Sequence, residues 1–371
     1  MSLMNDTKSR RPLLALLVIL SVIIIALPFA ETLRAESGPS NGTRPPAPSI
    51  TIKMLDQMSP LPGDLTPLAA APLDKAASPE MVELGRMLFF DNRLSLDRSM
   101  SCATCHDPLK GFADGRPLAI GFGGKELGRH SPTVLNAALN TAQFWDGRAA
   151  SLEEQARGPI TSPVEMNMTS EAELVRRLDG VAEYNSRFLA VFDEGASLKN
   201  VARAIAAFEK TLVTPDSPFD QYAGGNKQAL TEQEKRGLIL FVAKASCSQC
   251  HNGSNLTDNK FHVLGKLQKD ARQTDAGRYG VTKDEKDRAA FKTPTLRNVA
   301  LTAPYMHDGS VATLEEVVEF YDKGCGEAPN KSDLIFKLEL TAQEKKDLVA
   351  FLKSLTGKPV SLSLPRIPAD N

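Results

Sequence analysis

Apolar residues recur at helical spacing along much of this 371-residue chain, behind a repeated start signal. Ser or Thr followed three residues later by Glu is a capping box, which marks the first turn of a helix. The pattern opens an apolar-periodic segment at Ser151/Glu154, Ser170/Glu173, Thr231/Glu234, Thr313/Glu316 and Thr341/Glu344. Alternating strand patterns are scarce. The chain is therefore predicted to be all-α, with long loops between the helices.

The helix predicted behind Thr313 carries an aromatic residue at an informative position. The spacing i, i+3, i+4, i+7 of one helix face is kept by Leu314, Val317, Val318 and Tyr321. Tyr321 is thus expected on the buried face of this helix. By spacing alone it is an ordinary core residue whose hydroxyl finds a hydrogen-bond partner.

The amino terminus has the pattern of an export leader. Lys8, Arg10 and Arg11 precede an uncharged apolar run over residues 13–30. Because this length falls between a signal-peptide core and a membrane-spanning helix, residues 1–35 are predicted to be a signal peptide or a membrane anchor. Either one places the body outside the cytoplasm, in the periplasm. Residues 36–79 are rich in Pro, Ala and Ser and are predicted to be an extended linker, free or wrapped on the body.

Two Cys-x-x-Cys-His motifs carry the candidate chemistry. They are Cys102-Ala-Thr-Cys105-His106 and Cys247-Ser-Gln-Cys250-His251. Two thiols three residues apart lie on one face of a helical turn, where each can add to a vinyl group of one porphyrin, and the following His can ligate the iron. One such motif could also be half of a zinc site or a thiol-disulfide motif. Two copies, each ending in His, favour two covalent c-type haems.

The remaining composition adds little further chemistry. The motifs use four of the five Cys, which leaves Cys325 as either a small buried residue or a reactive thiol. The chain has 44 basic and 45 acidic residues, so no nucleic-acid partner is indicated. Gly85-Arg-Met-Leu-Phe89 precedes the first haem motif, and Gly237-Leu-Ile-Leu-Phe241 precedes the second. This repeat predicts two homologous cytochrome c-like domains, over residues 80–225 and 226–356, with a tail at 357–371.

Four further segments resemble the bacterial di-haem cytochrome c peroxidase and MauG family. They are Gln143-Phe-Trp145-Asp-Gly-Arg148-Ala149, Pro159-Ile-Thr-Ser-Pro-Val-Glu165-Met166, Pro294-Thr-Leu-Arg-Asn-Val299 and Pro304-Tyr-Met-His-Asp-Gly309. The resemblance runs from about Leu84 to about Leu355, with both haem motifs in register. It implies a peroxide-dependent oxidoreductase.

The resemblance also implies roles for three side chains. Glu165 matches the distal carboxylate that moves a proton between the peroxide oxygens. Gln155 matches the distal amide that orients peroxide or water. Trp145, the one Trp in the chain, matches an aromatic residue between the haems that relays electrons. Without the resemblance these would be a solvated Glu, a surface Gln and a core Trp.

Two departures from the peroxidase pattern resemble MauG. Where many family members have a His that blocks the N-terminal haem, this chain has Phe122, which cannot ligate iron. Where peroxidases ligate the C-terminal haem with Met, this chain has Tyr321, whose phenolate favours ferric and higher iron. Met306 is the reserve ligand. The N-terminal haem is therefore expected to be five-coordinate at rest, and the C-terminal haem to be a store for oxidising equivalents.

Other departures are unlike MauG. Ala245 stands where MauG has a Trp on the route to its protein substrate. The family's calcium site between the haems matches Thr302 and Pro304, which offer carbonyl oxygens, but His130 replaces its Asn. Calcium prefers oxygen ligands, so binding of calcium here is left open.

Three functions follow from these residues. The first is reduction of hydrogen peroxide with electrons from a small cytochrome c or cupredoxin. The second is MauG-like oxidation of side chains on a partner protein. The third is a di-haem electron carrier without catalysis, which the Gln155/Glu165 pair and Phe122 disfavour.

Overall fold

The computed structural model describes residues 49–69, 77–265, 275–360 and 362–370, and within them the chain is helical with long loops. The helices are α1 Ile52–Gln57, α2 Pro79–Phe89, α3 Cys102–Cys105, α4 Leu152–Thr161, α5 Glu171–Asp179, α6 Ala182–Phe192, α7 Leu198–Glu209, α8 Pro218–Ala223, α9 Glu232–Val242, α10 Tyr279–Thr282, α11 Leu314–Asp322 and α12 Ala342–Lys353. Two short strands, β1 Phe261–His262 and β2 Phe291–Lys292, pair antiparallel. The all-α prediction is confirmed.

All five predicted capping boxes begin helices. The side-chain oxygen of each Ser or Thr accepts a hydrogen bond from the backbone N–H three residues later; these residues are Ser151, Ser170, Thr231, Thr313 and Thr341. In α9, α11 and α12 the Glu side chain also accepts a hydrogen bond from the backbone N–H of the cap residue. Local sequence therefore fixes where these helices start.

Each half of the chain contains the same close helix crossing. A Cβ on Gly85 of α2 would lie 1.8 Å from the Ala204 carbonyl oxygen of α7. A Cβ on Gly237 of α9 would lie 2.0 Å from the Asp347 carbonyl oxygen of α12. Only glycine permits such an approach, which explains why the short repeat before each haem motif begins with Gly.

The aromatic end of the same repeat also packs alike in both halves. Phe89 meets Phe208 edge to face with ring centroids 5.3 Å apart, and Phe241 meets Phe351 at 5.1 Å. Each haem motif thus follows the first helix of an equivalent pair and precedes the second, as the predicted duplication requires.

A longer repeat, which the sequence analysis missed, follows each haem motif. Residues 130–159 correspond to residues 292–321, so that His130 matches Lys292, Pro132-Thr-Val-Leu-Asn136 matches Pro294-Thr-Leu-Arg-Asn298, and α4 matches α11. Asn136 and Asn298 both have left-handed backbone. Each copy also closes a loop with one antiparallel bridge, Gln143 to Ala149 and Tyr305 to Val311. Trp145 corresponds to His307, and Pro159 corresponds to Tyr321.

Each half has one large apolar core. A segment that precedes the N-terminal half packs on the C-terminal core, and the tail that follows the C-terminal half packs on the N-terminal half. Leu55, Leu61 and Leu65 are buried in the C-terminal core, so residues 49–69, named the strap, are wrapped on the body, which is one of the two arrangements expected for the linker. That core also includes α8, which lies before the predicted boundary at 225/226.

The C-terminal tail, residues 357–370, packs on the N-terminal half. Arg93 donates hydrogen bonds to Asp370 at 2.8 Å and to the Pro368 carbonyl at 2.7 Å. Arg366 pairs with Glu183 of α6 at 2.6 Å. The tail is therefore a structural part of the N-terminal half.

The structure contains, over the ranges it describes, no helix long and apolar enough to cross a membrane. The leader predicted over residues 1–35 lies outside those ranges.

Candidate functional site

The second haem motif opens into a large cavity in the C-terminal half. The cavity has a volume of about 680 Å³, a mostly apolar lining, and Cys247, Cys250 and His251 in its wall. The His251 Nδ1 atom lies 3.1 Å from the Leu256 carbonyl oxygen. This contact orients the ring and leaves Nε2 for a metal. Burial lowers the pKa of His251 to about 4, so its imidazole is neutral at pH 7.

The first haem motif has the same local arrangement. The His106 Nδ1 atom lies 3.2 Å from the Phe112 carbonyl oxygen, and burial lowers the pKa of this ring as well. Cys105 and Asp114 border a smaller cavity of about 290 Å³. Both thiols and the imidazole of the second motif line its cavity, whereas of the first motif Cys105 lines the smaller one. Each half thus offers two thiols and an oriented neutral imidazole, and this donor set fits haem c.

Two candidates for the second axial ligand line the C-terminal cavity. Tyr321 of α11 and Met306 of the preceding loop both contribute to its wall. Burial raises the pKa of Tyr321 well above its ordinary value, and the neighbouring Cys325, Cys247 and Cys250 thiols add to the effect. The phenol is therefore neutral unless a cation such as ferric iron enters the cavity.

The predicted acid–base pair lies on and after helix α4. Gln155 is half-buried on this helix, and Glu165 is half-buried in the turn that follows it. The Phe122 N–H donates to the Val164 carbonyl at 3.1 Å, so the Phe122 loop packs beside Glu165. The charge of Glu165 also acts on the Cys105 thiol. Phe122, Glu165 and the first haem motif are thus brought together.

Trp145 lies where the two halves meet. Its Nε1–H donates to the His130 carbonyl at 2.9 Å, and its own carbonyl accepts from the Lys292 N–H at 2.8 Å. Trp145 and Pro132 line the C-terminal cavity, whereas the Pro132 backbone also acts on the pKa of His106 of the first motif, which it raises against the effect of burial. One short segment therefore borders both haem sites, with Trp145 attached to it.

The residues of the predicted calcium site do not form an oxygen cage. Thr302, Pro304 and His130 line the same cavity. His130 is buried, and its Nδ1 lies 2.7 Å from the Arg116 carbonyl oxygen, so it contributes at most one ring nitrogen. This donor set does not fit calcium, which takes six to eight oxygen ligands.

Three buried charged groups were missed by sequence reasoning. Lys292 lines the C-terminal cavity, and burial lowers its pKa to about 8. Within the described residues its ammonium has no carboxylate in ion-pair distance. In the N-terminal half, Asp114 and Glu209 each have one buried carboxylate oxygen without a partner among those residues. For Lys292 a sequence signal existed, because the longer repeat aligns this residue with His130 and so singles it out for attention.

The comparisons with known proteins agree with this arrangement. The family model for di-haem cytochrome c peroxidase matches residues 79–228, and that for cytochrome c matches residues 234–356. The methylamine utilization protein MauG of Methylorubrum extorquens is 44% identical, covering 78% of this chain and 82% of its own length. The cytochrome c551 peroxidase of Pseudomonas aeruginosa is 42% identical, covering 84% and 87%. A solved MauG-like protein associated with microbial copper homeostasis has a TM-score of 0.71 at 36% identity, covering 81% and 95%.

Proposed function

Because the chain belongs to the di-haem cytochrome c peroxidase family, we propose that it reduces hydrogen peroxide at the haem of its N-terminal half and stores or relays oxidising equivalents through the haem of its C-terminal half. Both haems are proposed to be covalent, through Cys102 and Cys105 and through Cys247 and Cys250. The leader predicted from the sequence supports a periplasmic location. The electron donor is proposed to be a small cytochrome c or cupredoxin.

A comparison of the two halves carries this proposal. Tyr321 lines the C-terminal cavity, and the position that corresponds to it in the N-terminal half is Pro159 of α4. Proline has no donor atom for iron, and neither does Phe122 on the adjacent loop. In the N-terminal half neither residue would compete with peroxide for the haem iron, whereas in the C-terminal half Tyr321 would hold it.

The N-terminal half supplies the proton chemistry. Peroxide reduction consumes two electrons and two protons and releases two waters, and bound haem would supply the redox chemistry. The Glu165 carboxylate would accept the proton of the inner peroxide oxygen and return it to the outer oxygen, which leaves as water. Gln155 can donate and accept hydrogen bonds but cannot carry a proton, so it would orient peroxide.

The C-terminal half supplies a binding site for a charged cofactor. His251 and Tyr321 would hold the haem iron, with Met306 as the reserve ligand. Lys292 offers a buried ammonium without a carboxylate partner in the described part of the chain, which suits the anionic propionates of haem. Trp145 borders this cavity and is attached to the segment beside His106, so it would relay electrons between the halves.

Peroxide turnover by Glu165→Gln tests the proton role. We expect the rate to fall about 10²–10⁴-fold while both haem spectra stay unchanged. Glu126→Gln is the matched control, because Glu126 is an exposed acid on the Phe122 loop. Turnover at the parental rate by Glu165→Gln would refute the proton transfer.

The resting spin states test the open coordination site. Electron paramagnetic resonance of the oxidised protein should show one high-spin and one low-spin ferric haem without prior reduction. Two low-spin haems would refute the open N-terminal site.

A second candidate is MauG-like oxidation of side chains on a partner protein. Tyr321 in place of Met favours it, because a phenolate stabilises oxidised iron. Ala245 disfavours it, since this residue is only 7% exposed and has no redox-active side chain. Rapid peroxide turnover with a reduced small cytochrome or cupredoxin supports the peroxidase. Peroxide consumption that requires a protein substrate, with modified side chains on it, supports the second candidate.

A further inference from the structure

His130 connects three parts of the molecule by hydrogen bonds. Its Nδ1–H donates to the Arg116 carbonyl at 2.7 Å, and Arg116 borders the smaller cavity beside the first haem motif. Its backbone N–H donates to the His307 carbonyl at 2.7 Å, across to the C-terminal half. Its carbonyl accepts the Trp145 indole N–H at 2.9 Å. His130 is 5% exposed, so water competes little for these bonds.

The longer repeat makes this connection reciprocal. Lys292 corresponds to His130, and Trp145 corresponds to His307. Just as the His130 N–H donates to the His307 carbonyl, the Lys292 N–H donates to the Trp145 carbonyl at 2.8 Å. Two equivalent backbone bonds therefore join the halves at this point, and the His130 ring adds a further bond toward the first haem motif.

A calcium ion has no suitable cage at this position. The chain offers the Thr302 and Pro304 carbonyl oxygens, but His130 brings a nitrogen where an oxygen is needed. The nearby Asp146 and Asp275 carboxylates are both held by Arg129, at 2.7 Å each. These acids are thereby neutralised and unavailable to a cation.

We propose that His130 replaces the metal ion at the junction of the halves and holds Trp145 in place without calcium. The imidazole ties the Trp145-bearing segment to Arg116, a task that a cation would perform by drawing carbonyls and an amide oxygen together. His130 is a positioning residue for Trp145, and its relevance to electron relay rests on the proposed function. The connection itself rests only on the hydrogen bonds above.

The metal content of the haem-loaded protein provides the first test. Parent protein dialysed against EGTA, then against excess calcium, should contain no bound calcium in either state, and its haem reduction potentials should not move. Stoichiometric calcium or another metal that affects the potentials reversibly would overturn the proposal. Peroxide turnover is measured separately, so failure of the proposed function is distinguishable from failure of the metal-free junction.

A gain of calcium binding provides the second test. His130→Asn supplies the missing amide oxygen, so this variant should bind about one calcium per chain, and EGTA should shift its potentials until calcium is restored. His262→Asn is the matched control, since His262 lines the same cavity but is bonded to Asp258. Equal calcium binding by both variants, or by neither, would overturn the proposal.

The indole of Trp145 provides a third readout. Because the chain has one Trp, the ultraviolet resonance Raman band that is sensitive to the indole N–H hydrogen bond reports on Trp145 alone. We expect a weaker bond in His130→Ala, and in His130→Asn a weaker bond that calcium restores. An unchanged band in folded His130→Ala would overturn the positioning role.

Discussion

Replacing Glu209 by Gln should stabilise the protein, and more so as the pH rises. Glu209 ends α7 in the N-terminal core with 3% exposure, and one of its oxygens has no partner in the described part of the chain. Burial, assisted by the nearby charge of Glu153, raises its pKa from 4.5 to about 8. The folded protein therefore holds this carboxyl protonated at neutral pH, whereas the unfolded chain ionises it.

The sign and size of the effect follow from these two pKa values. Below pH 4.5 both states are protonated and the carboxyl costs nothing. Between 4.5 and about 8 the folded state binds more protons than the unfolded state, so stability falls by about 1.4 kcal/mol for each pH unit. The cost is on the order of 3 kcal/mol at pH 7 and levels off above pH 8.

Urea unfolding of the haem-loaded parent and Glu209→Gln at pH 5 and pH 7 measures this cost. The stability difference between the two proteins should grow by about 2–3 kcal/mol between these pH values, which is roughly 1 M urea for a slope near 3 kcal/mol/M. Other titrating groups cancel because both proteins share them. Glu232→Gln, at an exposed position of α9, is the control and should show no such growth. An equal difference at both pH values would refute a protonated Glu209.

Two further predictions concern the C-terminal cavity and the helix crossings. Tyr321→Phe should change the spectrum and reduction potential of the C-terminal haem while both haems stay attached, and Met306→Leu should not; the reverse result would make Met306 the ligand. Gly85→Ala and Gly237→Ala should each lower stability by about 1–3 kcal/mol in urea unfolding, because the new methyl would meet a backbone carbonyl at 1.8 or 2.0 Å. Gly280→Ala, where a Cβ meets nothing within 4 Å, is the control, and equal losses in all three would contradict the crossing argument.

Signals confined to a few neighbouring residues were predictable from the sequence. A capping box acts within one helical turn, which is why all five predicted starts are found. The haem motifs are equally local, and the family prediction is confirmed by the comparisons. The roles of Glu165, Gln155, Trp145 and Tyr321 stay predictions. The structure places Trp145 and Tyr321 in the wall of the C-terminal cavity and Glu165 near Cys105.

Features that depend on distant packing were not predictable in the same way. Periodicity places Glu209 on a buried face of α7 but does not tell whether a cation will meet it. The same holds for Lys292, because whether a carboxylate lies near its ammonium depends on a cavity that is formed by residues far apart in the chain. The surfaces on which the strap and the tail pack were not predictable, because extended, Pro-rich segments have no periodicity to show which surface they contact.

Because the strap packs in the C-terminal core and the tail packs on the N-terminal half, the order of synthesis determines when each half can finish folding. Leu55 of the strap is made before the rest of the core that buries it, which comes from residues 219–355. The tail is made after that core and returns to Arg93 in the N-terminal half. The N-terminal half is therefore not finished until the tail has been made, and deleting the strap would damage the C-terminal half. For the same reason, a protease cut in the connection between the halves would leave two fragments that still hold each other.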